Sequence, residues 1–273
     1  MPRLIRKAEA NANSMIADWS WSVKMGVRTI CATIPFVIGG CLNPEAPGPP
    51  LPIERTMVLL PGIEGGAWQL NGTVRGLRQA GILADFDVIE WGKRPFGSLD
   101  NLTNLEANKT RAKQIAARIE SHRHEYPERP ITLIGSSGGG GLAILVAEAL
   151  PRQPILDRLI LIGAAISPRY ELTESLARCK HGIVNMYSAN DWLILGAGTS
   201  IFGTMDRTKS AAAGHVGFLD SMGNTRNENG LTQIAWQPRW AIVGHDGGHI
   251  GWLAGQWAYQ YLAPVITKGC CDP

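Results

Sequence analysis

The residues best suited to chemistry lie at positions 135–139, which read Gly-Ser-Ser-Gly-Gly and match the pattern Gly-x-Ser-x-Gly. An apolar predicted strand, 131–135, precedes them, and an alanine-rich predicted helix, 141–150, follows. A sharp turn between strand and helix is the context in which this pattern presents a nucleophilic serine. Glycines are needed there because the turn strains the serine backbone and brings strand and helix close together. The pattern therefore predicts Ser137 as a nucleophile.

A serine hydroxyl is a poor nucleophile at its ordinary pKa, so it needs a base within hydrogen-bond reach and an acid that orients the base. Asp191 follows the predicted strand 183–187, at a strand end where a carboxylate can reach the same face as Ser137. His249 lies further along the chain in a glycine-rich loop. His245, four positions earlier in that loop, is the alternative base.

Six short apolar runs and two long helical patterns position these residues. The runs are rich in Val, Ile and Leu, and their lack of polar alternation indicates strands covered on both faces. The predicted strands are 56–60, 86–91, 131–135, 158–162, 183–187 and 240–243, and the predicted helices are 102–126 and 141–150. Alternating strands and helices predict a doubly wound α/β domain with a mostly parallel sheet.

The order of these features resembles that of the α/β-hydrolase family. A serine turn, Asp191 and a histidine loop follow one another, and the segment 59–66, Leu-Leu-Pro-Gly-Ile-Glu-Gly-Gly, follows the first predicted strand. The resemblance covers residues 55–262 and is to the compact lipase- and cutinase-like forms. It implies an α/β-hydrolase fold with helices on both faces of the sheet. Only the short stretch 167–180 stands at the usual cap position, so no large helical cap is expected.

The resemblance also implies roles for particular residues. In this family one oxyanion-hole amide comes from the loop after such a strand and the other from the residue after the nucleophile. Those amides would belong to Ile63, or alternatively Glu64, and to Gly138. About five loop residues usually separate the last strand from the histidine, which favours His249 over His245.

The function implied is that of a serine hydrolase that cleaves carboxylic esters, esterase- or lipase-like, with Ser137, Asp191 and His249 as the catalytic residues. A thioesterase or an acyltransferase would use the same residues, and a non-catalytic α/β-hydrolase-fold binding module at the cell envelope is an alternative from another class. We expect a small-molecule or lipid ester as substrate, no cofactor, no metal and a monomer.

The remaining aromatic and glycine-rich stretches lead to further expectations. The segment 196–237 is longer than one crossover helix requires, and its stretches 203–206 and 214–218 are predicted to form a flap over the site. Three tryptophans lie close to predicted site elements and could line an acyl pocket or pack beneath the loops: Trp68, Trp192 and Trp252. Three others are predicted to lie in the core: Trp236, Trp240 and Trp257.

The sequence also matches parts of the patterns of two other kinds of site. Gly138-x-Gly140-x-x-Ala143 matches a dinucleotide-binding fingerprint, but no acidic residue stands at 163–165 to bind the ribose. His245 and His249 have the spacing of a zinc pair, but glycines between them interrupt a helix and no third ligand is placed. His122 and His124 lie on a charged predicted helix and are expected to be solvated.

The charge distribution excludes a nucleic-acid partner. The formal net charge is +3, but residues 1–40 hold five Lys/Arg and two Asp/Glu, which leaves 21 of each sign in residues 41–273. The body of the protein is therefore neutral, whereas a phosphate backbone requires a concentrated basic face.

The basic start belongs to a segment, 25–41, with the anatomy of an export signal. Its apolar run of about 10–12 residues is too short to span a bilayer, which needs ~20. The ending Ile-Gly-Gly-Cys resembles the lipobox of bacterial lipoproteins, which implies lipidation at Cys41 and membrane contact through that lipid. The protein would then be exported to the cell envelope, on the periplasmic or outer-membrane side. An ordinary cleaved signal and an uncleaved anchor are the alternatives, and translation could start at Met1 or Met25.

The domain boundaries follow from these features. Residues 1–41 are the predicted leader, 42–54 with their five prolines are a predicted extended tether, and 55–273 are the predicted α/β-hydrolase domain. Outside the leader the cysteines are Cys179, Cys270 and Cys271. Adjacent cysteines rarely pair with each other, so at most one disulfide is expected.

Overall fold

Six parallel strands form the central sheet in the part of the chain that the computed structural model describes, residues 53–92, 98–192 and 203–268. The strands are β1 Arg55–Leu60, β2 Ala84–Val88, β3 Ile131–Ser136, β4 Arg158–Ile162, β5 Ile183–Tyr187 and β6 Leu231–Ala235. Their order in the sheet is β2-β1-β3-β4-β5-β6, and every neighbouring pair is parallel. The predicted parallel α/β architecture is confirmed.

Helices cover both faces of this sheet. They are α1 Asn71–Gln79, α2 Ser98–Thr103, α3 Leu105–Glu125, α4 Gly138–Ala149, α5 Thr173–Leu176, α6 Ala213–Val216, α7 Gly255–Trp257 and α8 Ala263–Lys268, with one π-helical turn, Ala258–Leu262, joining α7 to α8. Short 3₁₀ helices lie at Ala67–Leu70, Pro238–Val243 and His249–Leu253.

Two hydrophobic clusters lie on opposite faces because successive strand residues point to opposite sides of a sheet. Val58 and Leu133 pack with the buried residues of α3 and α4 on one face. Met57 and Ile134 pack with α1 and the carboxyl-terminal helix on the other. Burial on both faces explains why the strands are apolar throughout rather than alternating.

The strand order and the turn after β3 are those of the α/β-hydrolase fold, which confirms the fold class that the resemblance implied. Between β4 and β5 the chain forms one four-residue helix, Thr173–Leu176. No helical cap is inserted between these two strands, as expected.

The prediction of a last strand at 240–243 is wrong. These residues belong to a 3₁₀ helix, Pro238–Val243, and the last strand is Leu231–Ala235. An edge strand pairs on one side only and here is partly exposed, so its sequence, Leu-Thr-Gln-Ile-Ala, is too polar to stand out. An apolar residue stands at position 240 because Trp240 is buried among other aromatic rings, and not because this segment lies in a sheet. The second strand also differs, since it ends at Val88 rather than at Trp91.

The predicted helix 102–126 is two helices. Asn104 separates them, and its Oδ1 accepts a hydrogen bond from the amide of Ala107 at 3.2 Å, which caps α3. The helix after the serine turn begins at Gly138 rather than at residue 141.

The predicted flap stretches 203–206 and 214–218 are part of the packed structure. Met205 and Phe218 are fully buried in the cluster beneath α4, and the amide of Gly214 donates to the carbonyl of Ala164 at 2.9 Å. The flap prediction is therefore wrong for these stretches. Their small and apolar residues fill the space beside β4 and β5 and lead the chain to the edge strand.

Several predictions fall on residues outside the described ranges. These are the leader with Cys41, the tether as far as residue 52, and Cys270 and Cys271. Within the described ranges, no helix combines the length and apolar character that a membrane crossing needs. Cys179 is a buried free thiol, and burial raises its pKa to about 12.

Candidate active site

Ser137 occupies the turn between β3 and α4 in a backbone conformation that L-residues rarely adopt, with φ +56° and ψ −124°. Strained backbone of this kind persists only where surrounding contacts hold it. The Ser137 amide donates to the carbonyl of Ile162 at 2.9 Å, and the Ser137 carbonyl accepts from the amides of Gly140 and Ala165 at 2.9 and 3.0 Å. These bonds hold the turn from both sides.

The glycines of the turn are required sterically. A Cβ on Gly135 would collide with the Gly139 backbone, and a Cβ on Gly139 would collide with the carbonyls of Leu60 and Pro61. The close approach of β3 and α4 that the glycine pattern predicted is therefore present, and the end of β1 lies equally close.

The structure brings the three predicted catalytic side chains into one hydrogen-bonded chain. His249 Nε2 lies 2.9 Å from Ser137 Oγ, although the two residues are 112 positions apart. His249 Nδ1 lies 2.6 Å from Oδ2 of Asp191, 58 positions away. An ionised carboxylate only accepts hydrogen bonds, so Nδ1 carries the proton and the Nε2 lone pair faces the serine hydroxyl. This is the geometry that a base needs to accept the serine proton.

The acid loop and the histidine loop are tied to each other. Ser188 Oγ donates to the Gly247 carbonyl at 2.6 Å and accepts from the Asn190 amide at 3.2 Å. The Asp191 amide donates to the Ser188 carbonyl at 3.1 Å. Ser188, which the sequence analysis did not single out, thus sets the distance between the two loops.

His245, the alternative base, lies away from the serine. It is fully buried, with ring centroids of Trp252, Trp257 and Trp240 at 4.1, 5.4 and 5.7 Å, and its Nδ1 accepts from the Gly247 amide at 3.2 Å. The spacing that favoured His249 was counted from a predicted strand at 240–243, where the chain forms a 3₁₀ helix instead. His249 stands 14 positions after Ala235, the true end of the last strand.

The burial of His245 leads to a prediction about stability. Desolvation lowers its pKa to about 4, against the opposing charge of Asp246, whereas an unfolded histidine titrates near 6.5. Between these values the unfolded chain binds more protons, so the free energy of unfolding falls as the pH is lowered from 6.5 to 4. This residue should contribute a slope of roughly 1.4 kcal/mol per pH unit.

Urea unfolding measured across this pH window checks the prediction. His245→Gln should flatten the slope, whereas His124→Gln, which replaces an exposed histidine of α3, should leave it unchanged. An equal slope in the wild type and His245→Gln would contradict the assignment.

The two predicted oxyanion-hole residues are neighbours. The backbone N of Ile63 would lie 3.3 Å from a Cβ on Gly138. Gly138 is the first residue of α4, so its amide has no acceptor within the helix. Among the described residues, none accepts a hydrogen bond from the Ile63 amide. Glu64 is exposed to solvent.

The tryptophans near the site divide into two groups. Trp252 packs against His245 in the buried aromatic cluster, whereas Trp68 and Trp192 are 63% and 61% exposed. The core predictions are confirmed for Trp240 and Trp257, which are fully buried, and Trp236 is partly buried.

The prediction for the helix histidines is half wrong. His124 is exposed, but His122 Nε2 lies 3.1 Å from Oδ2 of the buried Asp87, which also pairs with Arg118. The described part of the chain contains no group of three His, Cys, Asp or Glu side chains that could hold a metal ion.

No protein-family model and no curated protein matches the sequence of this chain. Among solved structures, it is similar to LpqC, a poly(3-hydroxybutyrate) depolymerase from Bordetella parapertussis, at 11% identity over 81% of this chain and 83% of that one, with a TM-score of 0.48. The methylesterase MES16 from Arabidopsis shows 12% identity over 78% and 99%, with a TM-score of 0.46. The Bacillus licheniformis lipase BlEst2 shows 12% identity over 82% and 95%, with a TM-score of 0.46. Likeness at these identities concerns the fold and not the reaction.

Proposed function

We propose that this protein is a serine hydrolase that cleaves carboxylic esters through an acyl-enzyme intermediate. The observation that carries the proposal is the continuous hydrogen-bonded chain from Ser137 through His249 to the buried Asp191. A structural polar network would not need its serine in a strained turn at the carboxyl end of the sheet, with a histidine that stays partly exposed.

In the proposed mechanism, Ser137 Oγ attacks the ester carbonyl carbon while His249 Nε2 takes the hydroxyl proton. Asp191 holds the imidazole in the correct tautomer and stabilises the imidazolium that forms. The amides of Ile63 and Gly138 donate hydrogen bonds to the negatively charged carbonyl oxygen of the tetrahedral intermediate.

Collapse of this intermediate releases the alcohol, which receives its proton from His249, and leaves the acyl group on Ser137. Water then attacks the acyl-enzyme with His249 again as the base. The acid is released and the serine hydroxyl is restored. The exposed Trp192 next to Asp191 and the exposed Ile250 next to His249 offer apolar surface for the substrate.

Labelling with a fluorophosphonate tests the proposal, because such probes react with an activated serine and not with an ordinary hydroxyl. We expect stoichiometric labelling of the native protein, with the modified peptide containing Ser137, and no labelling after heat denaturation. Absence of labelling, or modification of another serine, would favour a non-catalytic binding module. Export to the cell envelope and lipidation at Cys41 stay predictions from the sequence.

A further inference from the structure

We infer that Asn101 is a positioning residue for this reaction, which holds Ile63 where its amide can stabilise the oxyanion. The inference rests on the proposed function, because it assigns a task within the same site. Asn101 lies on α2, is fully buried, and donates a hydrogen bond from Nδ2 to the Ile63 carbonyl at 2.9 Å. Ile63 also packs against a small buried cluster that contains Leu102, the next residue of the helix. The helix thus holds both the backbone and the side chain of Ile63.

The loop needs such an anchor because the hydrogen bond that closes its turn joins two residues of the loop and does not tie the loop to another element. The amide of Gly65 donates to the carbonyl of Gly62 at 2.7 Å, which places Ile63 and Glu64 at the centre of the turn. This bond orients the peptide that carries the Ile63 N–H, since the N–H and C=O of a trans peptide point in opposite directions. It does not act on the central peptide of the turn, whose carbonyl belongs to Ile63. The bond from Asn101 holds that carbonyl.

The ends of the loop are held separately by Trp91. Its Nε1 donates to the Pro61 carbonyl at 2.8 Å, and its amide donates to the Gly65 carbonyl at 3.2 Å. These bonds fix where the loop begins and ends, and among the described residues the hydrogen bond to Ile63 itself comes from Asn101.

Asn101 is itself held in place. Asn108, a fully buried residue of α3, donates from Nδ2 to the backbone carbonyl of Asn101 at 2.8 Å. Gly92 has φ +81°, and a Cβ at this position would collide with the Asn101 side-chain amide. The absence of a side chain at Gly92 therefore leaves space for this amide, and the bond from Asn108 holds the Asn101 backbone. Oxyanion-hole donors act through such preorganisation, because a misplaced donor must be reoriented at the moment of reaction.

The test compares Asn101→Ala and Asn101→Asp with the wild type. The aspartate keeps the side-chain shape and, when ionised, removes the donor. Turnover of a p-nitrophenyl ester is measured per active site, counted by fluorophosphonate titration, together with the inhibition constant of a trifluoromethyl ketone whose adduct with Ser137 carries an oxyanion. We expect kcat to fall about 10- to 100-fold with little change in KM, and ketone affinity to fall by the same factor.

Asn104→Ala is the matched control. Asn104 lies three positions further on and caps α3 without touching the loop, so its loss should lower the melting temperature and leave kcat within about twofold. Wild-type kcat in the Asn101 variants, or a kcat loss without the matching loss of ketone affinity, would overturn the inference. The inference would also be overturned if neither variant had any active sites that react with the fluorophosphonate, because that result indicates a role in folding alone.

Ser137→Ala belongs in the same panel and separates the two proposals. If turnover survives this change, the proposed function fails and the role of Asn101 fails with it. If Ser137→Ala is inactive while both Asn101 variants keep wild-type kcat, only the role of Asn101 is wrong.

Discussion

Replacement of Ser137 by alanine should lower kcat/KM for a p-nitrophenyl ester by about 10⁶-fold, the scale seen when a serine hydrolase loses its nucleophile. The physical reason is the geometry of the turn, which places Oγ 2.9 Å from His249 Nε2 at a backbone φ of +56°. Without the hydroxyl no acyl-enzyme can form, and only the weak effect of substrate binding and oxyanion stabilisation on direct attack by water remains.

Ser136→Ala is the control for this experiment. Ser136 is the last residue of β3, is buried, and stands next to Ser137 in the same glycine-rich run. Its replacement should leave kcat/KM within about tenfold of the wild type, because successive residues point in different directions from a strand. Residual activity of Ser137→Ala within about 100-fold of the wild type would place the nucleophile elsewhere.

Replacement of His249 by alanine should lower kcat by about 10⁴- to 10⁶-fold. The imidazole bridges Ser137 and Asp191. Its removal leaves the serine without a base and leaves Asp191 without the imidazole that it orients. Rate measurements on the ester, with circular dichroism to verify folding, check this expectation.

His245→Gln is the matched change in the same loop, and it should keep more than about a tenth of the wild-type kcat. His245 faces the buried aromatic cluster, and its Nδ1 accepts a hydrogen bond from the Gly247 amide rather than facing Ser137. If His245→Gln abolished turnover and His249→Ala spared it, the assignment of the base would be wrong. Both effects are separable from the stability change expected of His245, which is read from unfolding and not from rates.

Local sequence was sufficient where one steric requirement acts over a few residues. The serine turn could be predicted because only glycines allow β3 and α4 to pass so close to the backbone of β1, and that requirement is visible as a glycine run beside an apolar strand. Asp191 could be predicted because parallel strands bring their carboxyl ends to one edge of the sheet.

Prediction from local sequence failed where the same residue types occur in different structural surroundings. Trp240 and its apolar neighbours satisfy the pattern of a buried strand, but the rings of Trp252 and Trp257 bury Trp240 in a 3₁₀ helix. The true edge strand, Leu231–Ala235, is too polar to be recognised because it pairs on one side only. Hydrophobicity shows that a residue is buried and does not show what buries it.

Residue types and their spacing identified the side chains that could act: one serine in a glycine turn, one acid at a strand end and two histidines in a single loop. Long-range packing places His249 and not His245 beside Ser137, and the sequence could not show this because both histidines have the same glycine-rich surroundings and differ in contacts with distant residues. The role of Asn101 likewise depends on the structure, since 38 positions separate it from Ile63 and no local pattern records a hydrogen bond across that distance. Residue types and spacing indicate which chemistry a site could perform, whereas long-range packing determines which of its atoms come into contact.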